Sequence, residues 1–162
     1  MLRRLVEHGM VLAEQSNTGF MYRLNREHLL APAILSAVGA PDELASRLAT
    51  ACRGLIPNPV HVSVFGSHAR AEATAASDID LMIVVDGGLD VHDARWTDQM
   101  DDLGHQVLTW TGNRLEVVVL SVTRLRAVVL AGEPLVETWA ADARTLLGPR
   151  PQSLVRSARA EA

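Results

Sequence analysis

The chain of 162 residues contains no lysine, and all 15 of its basic residues are arginines. Schiff-base catalysis and the phosphate-binding P-loop both need a lysine amine, so these two reaction classes are excluded. Cys52 is the single cysteine, which excludes a disulfide framework and a zinc site made of cysteines. A lone thiol is typical of a reducing compartment, and we therefore expect a cytoplasmic protein.

The sequence also lacks long apolar runs and an excess of positive charge. No apolar run approaches the length of a transmembrane helix, and the start, Met1-Leu2-Arg3-Arg4, lacks the apolar core of a signal peptide. We therefore expect no contact with a membrane. The formal net charge of −4 argues against tight, non-specific binding to duplex nucleic acid. A small molecule or a protein is the better candidate for a substrate.

The first 25 residues predict a helix followed by a β-hairpin. The helix runs over 2–8 and ends at Gly9, and the two strands, 10–14 and 20–24, flank a turn-forming stretch. This piece resembles the wing of a winged helix-turn-helix, but the helices expected upstream in that family are missing. We therefore interpret residues 1–25 as a packing or dimerisation piece. DNA binding is not expected from such a truncated form, whereas a homodimer is compatible with it.

The rest of the chain alternates helical and extended patterns. Asn25 predicts the start of a helix that ends at Gly39, and Pro41 the start of a second helix, whose apolar face includes Cys52. Beyond them we expect three strands, over residues 60–65, 78–85 and 115–120, and an edge strand over 146–148. We also expect a long helix over 91–110 and two short helices over 121–132 and 134–139. The predicted class is α/β (α+β), with a domain over 26–148 and a flexible tail over 149–162.

The stretch from Phe65 to Leu81 lies between the first two of these strands. It begins with the turn Gly66-Ser67 and ends with Asp78-Ile79-Asp80. Because side chains alternate along a strand, Asp78 and Asp80 are expected on the same face. Backbone N–H groups freed at the Gly-Ser turn could hold an anion. We interpret the stretch as a metal-dependent phosphate site.

Glu116 is a third acid on an otherwise apolar strand. A carboxylate inside such a strand is costly unless it is paired or bound to a metal ion. Together, Asp78, Asp80 and Glu116 provide the oxygen ligands that suit Mg²⁺, which usually takes further oxygens from phosphates and water. Two such ions, about 4 Å apart, could activate an attacking hydroxyl and stabilise a leaving oxygen.

Gly-Ser, ten intervening residues and Asp-Ile-Asp resemble the signature of the minimal nucleotidyltransferases of the DNA polymerase β superfamily. The core resemblance covers about residues 60–120, and the surrounding helices extend it to 148. It implies a mixed β-sheet flanked by helices, with the N-terminal helix and hairpin as an appendage. It also implies transfer of a nucleoside monophosphate from a nucleoside triphosphate to an acceptor hydroxyl, with release of pyrophosphate.

The same resemblance implies a role for each matching residue. Gly66 and Ser67 would bind the triphosphate, and Ser77, which caps or orients the entry of the next strand, is grouped with them. The catalytic acids would also be the metal ligands: Asp78, Asp80 and Glu116. Arg70 either touches phosphate or forms a surface ion pair with Glu72 or with the acidic long helix, while His68 is interpreted as a solvated neighbour.

Two positions depart from the family pattern. Where members usually have glycine, this chain has Ala71, so the backbone there either avoids a positive φ or accepts strain. The third acid is commonly aspartate, and Glu116 is longer by one methylene. Neither change removes a metal ligand.

Two functions follow as hypotheses. The first is a Mg²⁺-dependent nucleotidyltransferase that moves AMP from ATP to a hydroxyl on a protein or RNA, as antitoxins that adenylylate a partner toxin do. The second is a nucleotide-sensing or DNA-associated regulatory module without turnover. The three acids favour the first, because an inactive site has no need to hold like charges together.

Overall fold

In the computed structural model, which describes residues 2–87 and 89–160, the chain divides into two compact units, Met1–Glu43 and Leu44–Ala162. The first unit contains helix α1 (Leu2–Glu7), the hairpin strands β1 (Val11–Ser16) and β2 (Gly19–Leu24), and the start of helix α2 (Ala31–Arg53). The second continues with β3 (Pro59–Phe65), α3 (Gly66–Ala69), β4 (Ile79–Val85), α4 (Ala94–Thr111) and β5 (Leu115–Ser121). It ends with α5 (Val122–Leu130), α6 (Pro134–Asp142), β6 (Arg144–Leu147) and α7 (Pro151–Ala160).

Four strands of the second unit form one mixed sheet in the order β5-β4-β3-β6. Strand β3 is antiparallel to both of its neighbours, and β4 is parallel to β5. The apolar, β-branched segments predicted as strands are these strands, and the edge strand expected near residue 147 is β6. The predicted mixed sheet flanked by helices is confirmed.

The two faces of this sheet are buried under different helices. Because side chains alternate along a strand, Ile79, Leu81 and Ile83 of β4 lie on one face and Met82 and Val84 on the other. The first face packs against α2 and α4, through a buried set made up of Leu48, Cys52, Leu55, Val62, Val64, Ile79, Leu81, Ile83, Val85, Trp96, Leu103 and Val107. The second packs against α5, α6 and α7, through Phe65, Met82, Val84, Leu125, Val128, Val129, Val136, Trp139 and Ala158.

Local features of three helices follow from the residues that form them. The Ser121 hydroxyl caps α5 by accepting a hydrogen bond from the Arg124 amide (3.0 Å). Gly112, with φ of 77°, ends α4 in the left-handed conformation that glycine favours. Cys52 is buried, and burial raises the pKa of its thiol to about 12, as expected of a thiol that belongs to the core.

The first difference from the sequence prediction is helix α2, which stands where two helices were expected. Asn25 does not begin a helix: its side-chain amide donates to the Gly9 carbonyl (2.9 Å), and α2 starts only at Ala31. That helix then continues through Pro41 to Arg53, where two helices were expected. An interior proline removes one backbone hydrogen bond and crowds the preceding turn, but it does not end this helix.

The predicted flexible tail is the second difference. Residues Pro151–Ala160 form α7, which contacts α5 and α6. Pro151 and Ala158 are buried, and Leu154 and Val155 pack at the edge of the same core. The arginine, serine and alanine residues of this segment therefore form an amphipathic helix with a narrow apolar stripe.

The hairpin of the first unit forms as predicted, with Val11 opposite Leu24 and Ser16 opposite Gly19. Phe20 and Tyr22 lie on one face of it, with ring centroids 6.3 Å apart. The resemblance of residues 1–25 to a wing stays a prediction. No helix in the described part of the chain is long and apolar enough to cross a bilayer.

Candidate active site

Gly66 lies against the carboxylate of Asp80 where β3 runs into the short helix α3. Its φ is 69°, a conformation that favours glycine. A Cβ atom at this position would collide with a carboxylate oxygen of Asp80 and would lie 3.2 Å from its Cγ. Both the backbone conformation and the missing side chain are therefore required for this contact. The structure thus brings together the two ends of the stretch singled out by the sequence.

The strand register places the acids side by side. Asp80 is opposite Phe65 of β3 and opposite Glu116 of β5, so that Asp80 and Glu116 share a face of the sheet. Asp78 precedes β4 by one residue and is near enough to interact electrostatically with Asp80. The three acids of the sequence prediction therefore lie at one end of β4 and β5.

Their exposure differs from what the sequence indicated. Glu116 was expected to be costly inside an apolar strand, but its side chain is exposed at the start of β5. Asp78 is also exposed, and only Asp80 is half-buried. The burial argument for a ligand at Glu116 is therefore wrong, and the register with Asp80 is the observation that remains.

Asp80 is the acid with the perturbed electrostatics. Burial, followed by repulsion from the Asp78 carboxylate, raises the pKa of Asp80, while His68 and Arg70 partly offset this by lowering it. A carboxylate in such a place is stabilised by added positive charge. The free protein therefore holds negative charge here at a cost, as a cation site does.

The carboxylates supply hard oxygen donors, the type that Mg²⁺ prefers. Within residues 2–87 and 89–160, no three His, Cys, Asp or Glu side chains are gathered closely enough to hold a metal ion. The donor chemistry and the register nevertheless fit a divalent cation, with Asp80 as its half-buried member. The exposed carboxylates of Asp78 and Glu116 can turn towards Asp80 with little loss of packing.

Arg70 links α3 to α6. Its Nε donates to Glu72 (2.8 Å), and its Nη1 donates to Asp142 (2.9 Å), and these carboxylates raise the pKa of Arg70. The surface ion pair with Glu72, one of the two predicted possibilities, is present. Arg70 is also close enough to lower the pKa of Asp80, so it contributes positive charge to the site.

His68 differs from its predicted surroundings. It was expected to be a solvated neighbour, but its ring is half-buried, and the Nε2 atom is buried without a hydrogen-bond partner among the described residues. It also interacts electrostatically with Asp80. Position 68 was visible in the motif, but only the fold reveals the burial of its ring nitrogen.

Ala71 has a φ of 57° and is the one residue other than glycine with a positive φ in the described part of the chain. This is the position where the family pattern has glycine. Of the two alternatives raised by the sequence, the backbone accepts the strain. Left-handed backbone costs an L-residue on the order of 1 kcal/mol.

The loop that delivers Asp78 is fixed by Ser77 and Asn113. The Ser77 hydroxyl accepts from the Thr74 amide (2.9 Å), which closes a turn directly before Asp78. The Asn113 side-chain amide donates to the carbonyls of Ser77 (2.8 Å) and Ala75 (3.2 Å). Asn113 was not identified from the sequence, because its partners lie more than thirty residues away in sequence.

Comparison with protein families matches residues 45–125 to the model described as nucleotidyltransferase domain. This range includes every predicted site residue. No curated protein matches the chain.

Several solved structures are similar to the chain. One is a crystal structure of a toxin-antitoxin with AMP-PNP, at 16% identity and a TM-score of 0.51, covering 72% of this chain and 85% of the other. Another is the toxin-antitoxin MntA-HpeT carrying two aspartate-to-glutamate changes, at 14% identity and a TM-score of 0.49, covering 72% and 84%. A third is a nucleotidyltransferase described as putative from Sulfolobus solfataricus, at 25% identity and a TM-score of 0.31, covering 53% and 74%. The first of these likenesses confirms the fold.

Proposed function

Because the chain belongs to the nucleotidyltransferase domain family, we propose that it transfers AMP from ATP to a hydroxyl group on a protein or an RNA. The observation that carries the proposal is the contact between Gly66 and Asp80, with Glu116 in register beside them. This contact joins a glycine turn to a half-buried carboxylate. The turn would accommodate a phosphate, and the carboxylate would attract a cation. A nucleoside triphosphate with its divalent ion matches both halves.

Asp78, Asp80 and Glu116 would hold Mg²⁺. When bound, the ion supplies positive charge that activates the acceptor hydroxyl and stabilises the leaving oxygen. Asp80 is the central ligand in this proposal, because it is half-buried against Gly66 and in register with Glu116. Glu116, on the neighbouring strand, serves the acceptor side of the site.

Gly66 and Ser67 would bind the triphosphate at the start of α3. Phe65 precedes this helix and provides no side-chain cap, which leaves the first backbone amides of α3 available to phosphate oxygens. Ser77 closes the turn before Asp78 and thereby fixes the entry of β4. Its role is to hold the nucleotide-binding loop in place.

Arg70 would neutralise charge on the triphosphate. Its guanidinium already acts on Asp80 electrostatically and is held in place by Glu72 and Asp142. Both ion pairs are partly exposed, so their exchange for a phosphate oxygen is inexpensive. The bond changes follow from the reaction class: the acceptor oxygen bonds to the α-phosphorus, the bond to pyrophosphate breaks, and the hydroxyl proton leaves.

We further propose a partner toxin as the acceptor, so that this chain acts as an antitoxin. The support is the similarity of fold to a toxin-antitoxin structure that contains AMP-PNP. A protein substrate would bring its own binding surface.

The experiment is incubation of the purified chain with each α-labelled nucleoside triphosphate, Mg²⁺, and either RNA or the protein encoded by the neighbouring gene. We expect label from ATP on the neighbouring protein, with the mass of AMP found on a hydroxyl residue by mass spectrometry. Asp78→Asn should lose the label. The control Asp86→Asn removes an exposed aspartate just past the other end of β4 and should retain it.

Two results would contradict the proposal. One is the absence of label with every nucleotide and acceptor while the protein remains folded. The other is equal labelling by wild type and Asp78→Asn, which would mean that transfer does not depend on the proposed ligands. Labelling of RNA alone would keep the reaction and replace the acceptor.

A further inference from the structure

Strand β5 forms one edge of the four-stranded sheet. It pairs with β4 over seven consecutive residues, from Leu115 to Ser121, and no other strand of the described chain pairs with it. Helices α4 and α5 contact it. The backbone N–H and C=O groups that point away from β4 therefore have no strand partner in this part of the chain. Such a row of groups is a template for another extended backbone.

The opposite edge, β6, is poorly suited to this use. It has four residues, and its register with β3 shifts between Val62 and Ser63. Directly after it, Gly148 and Pro149 turn the chain, and proline offers no amide to a neighbouring strand. Short length, irregular register and a following proline are features that keep an edge from pairing.

β5 has none of these features. Its sequence, Leu-Glu-Val-Val-Val-Leu-Ser, contains no proline, and its register with β4 is unbroken. Glu116 is its one charged residue. Apart from Glu116, every side chain of β5 is half-buried, so that a further strand would complete its burial on both faces. The edge is therefore regular along its length, and it is apolar from Val117 to Leu120.

An added strand would reach the site directly. Neighbouring strands lie about 4.8 Å apart, and residues opposite each other share a face of the sheet. The residue opposite Glu116 would thus project on the face that carries Asp80. Glu116 and the net charge of −4 disfavour a phosphate-rich nucleic acid at this edge, whereas unpaired amides and carbonyls match a polypeptide backbone.

We propose that β5 binds an extended segment of the acceptor protein as a fifth strand, which presents a serine, threonine or tyrosine hydroxyl opposite Glu116. This rests on the proposed function and specifies its acceptor: a hydroxyl-bearing strand with apolar residues at alternate positions. The hydroxyl oxygen bonds to the α-phosphorus of the nucleoside triphosphate, pyrophosphate leaves with the electrons of the broken bond, and the hydroxyl proton passes to solvent.

The test is amide hydrogen exchange of the full chain with a synthetic peptide of alternating valine and threonine around one tyrosine, at millimolar concentration. The expected result is at least about tenfold slower exchange at every second amide of β5, namely those that point away from β4. The amides of β6 provide the internal control and should be unchanged. The same peptide with alternate backbone nitrogens methylated cannot pair as a strand and should protect none of them.

Label transfer separates this inference from the proposed function. With ATP and Mg²⁺ present, the tyrosine of the unmethylated peptide should become labelled by wild type. Asp80→Asn should lose the labelling but keep the alternating protection of β5. Protection without label in wild type would leave the docking site intact and count against the proposed reaction.

Three outcomes would overturn the inference. The first is the absence of protection in β5 with the unmethylated peptide. The second is equal protection by the methylated peptide, since binding would then not be strand pairing. The third is protection of the same amides at high protein concentration without peptide, together with a dimer in sedimentation, because a second copy would then occupy the edge.

Discussion

The two faces of the central sheet are both buried under helices but contain different chemistry. Towards α2 and α4, strands β3 and β4 present aliphatic side chains alone. Towards α3 and α6, the same strands present His61, Ser63 and Asp80 among apolar neighbours. The first face can be optimised for packing, whereas the second must also keep polar groups hydrogen-bonded or available. Stability and chemistry are thus divided between alternate residues of the same strands.

The polar groups on the second face form a closed network away from the acids. Ser63 Oγ accepts from the indole of Trp139 (2.8 Å) and therefore has its own proton to donate to His61 Nε2 (2.8 Å). His61 Nδ1 then carries the ring proton and donates to the Pro149 carbonyl (2.8 Å). All three buried side chains are satisfied, which ties β3 to α6 and to Pro149, two residues before α7.

The largest stability effect is expected on the apolar face, at Leu81. Its side chain is fully buried, so that Leu81→Ala should lower the free energy of unfolding by about 3 kcal/mol. Leu108→Ala, at a leucine that is 46% exposed, is the control and should cost under about 1 kcal/mol. Urea unfolding measures both. A small loss at Leu81 would mean that this face is not the main source of stability.

A smaller loss in the free energy of unfolding is expected from Ser63→Ala, on the second face of the sheet. The change leaves Trp139 Nε1 and His61 Nε2 buried without their partner, which should cost about 2 kcal/mol. Thermal or urea unfolding measures this, with the exposed Ser157→Ala as a control that should change little. An unchanged free energy of unfolding would contradict the network.

The third prediction is loss of stability in acid through His61. Burial lowers the pKa of His61, so the unfolded chain binds a proton more readily than the folded one. The contribution of the neutral ring is complete above the unfolded pKa of about 6.5 and is lost as the pH falls towards the lower folded pKa. Between pH 7.5 and 5.5, wild type should lose more of its free energy of unfolding than His61→Gln, by at most about 1.4 kcal/mol per pH unit. Equal losses would contradict the assignment.

The smallest effect is expected beside the site, at Ala71. Ala71→Gly relieves the positive φ and should stabilise the protein by about 0.5 kcal/mol. Ala69→Gly, two residues earlier at the end of α3, should have the opposite sign, because glycine is a poor helix former. Parallel unfolding curves distinguish the two, and a loss of stability at both positions would contradict the strain.

Much of the fold and of the motif could be predicted because the signals are local. The alternation in β4, the cap at Ser121 and the glycine at position 66 each depend on neighbouring residues. Predictions were wrong where distant packing decides. The residues around Pro41 predict the start of a helix, yet Pro41 lies inside α2. The sequence of α7 predicts a flexible tail, because the apolar stripe of this helix is narrow.

The same distinction applies to the site. The spacing of Asp78 and Asp80 was sufficient to predict that they lie together, and the register of β5 adds Glu116. The hydrogen bonds of Asn113 and the burial of His68 Nε2 depend on segments that are distant in sequence. His68 was visible in the motif, but neither its burial nor the contacts of Asn113 could be predicted from neighbouring residues.

The most direct test of the account compares Asp80→Asn with Asp86→Asn in Mg²⁺-dependent release of pyrophosphate from ATP. Both variants remove one negative charge near an end of β4, but only Asp80 contacts Gly66. The account predicts that Asp80→Asn remains folded and loses roughly 10³-fold in rate, while Asp86→Asn stays close to wild type. Pyrophosphate release by Asp80→Asn within about tenfold of wild type would contradict the assignment of this site as the catalytic centre.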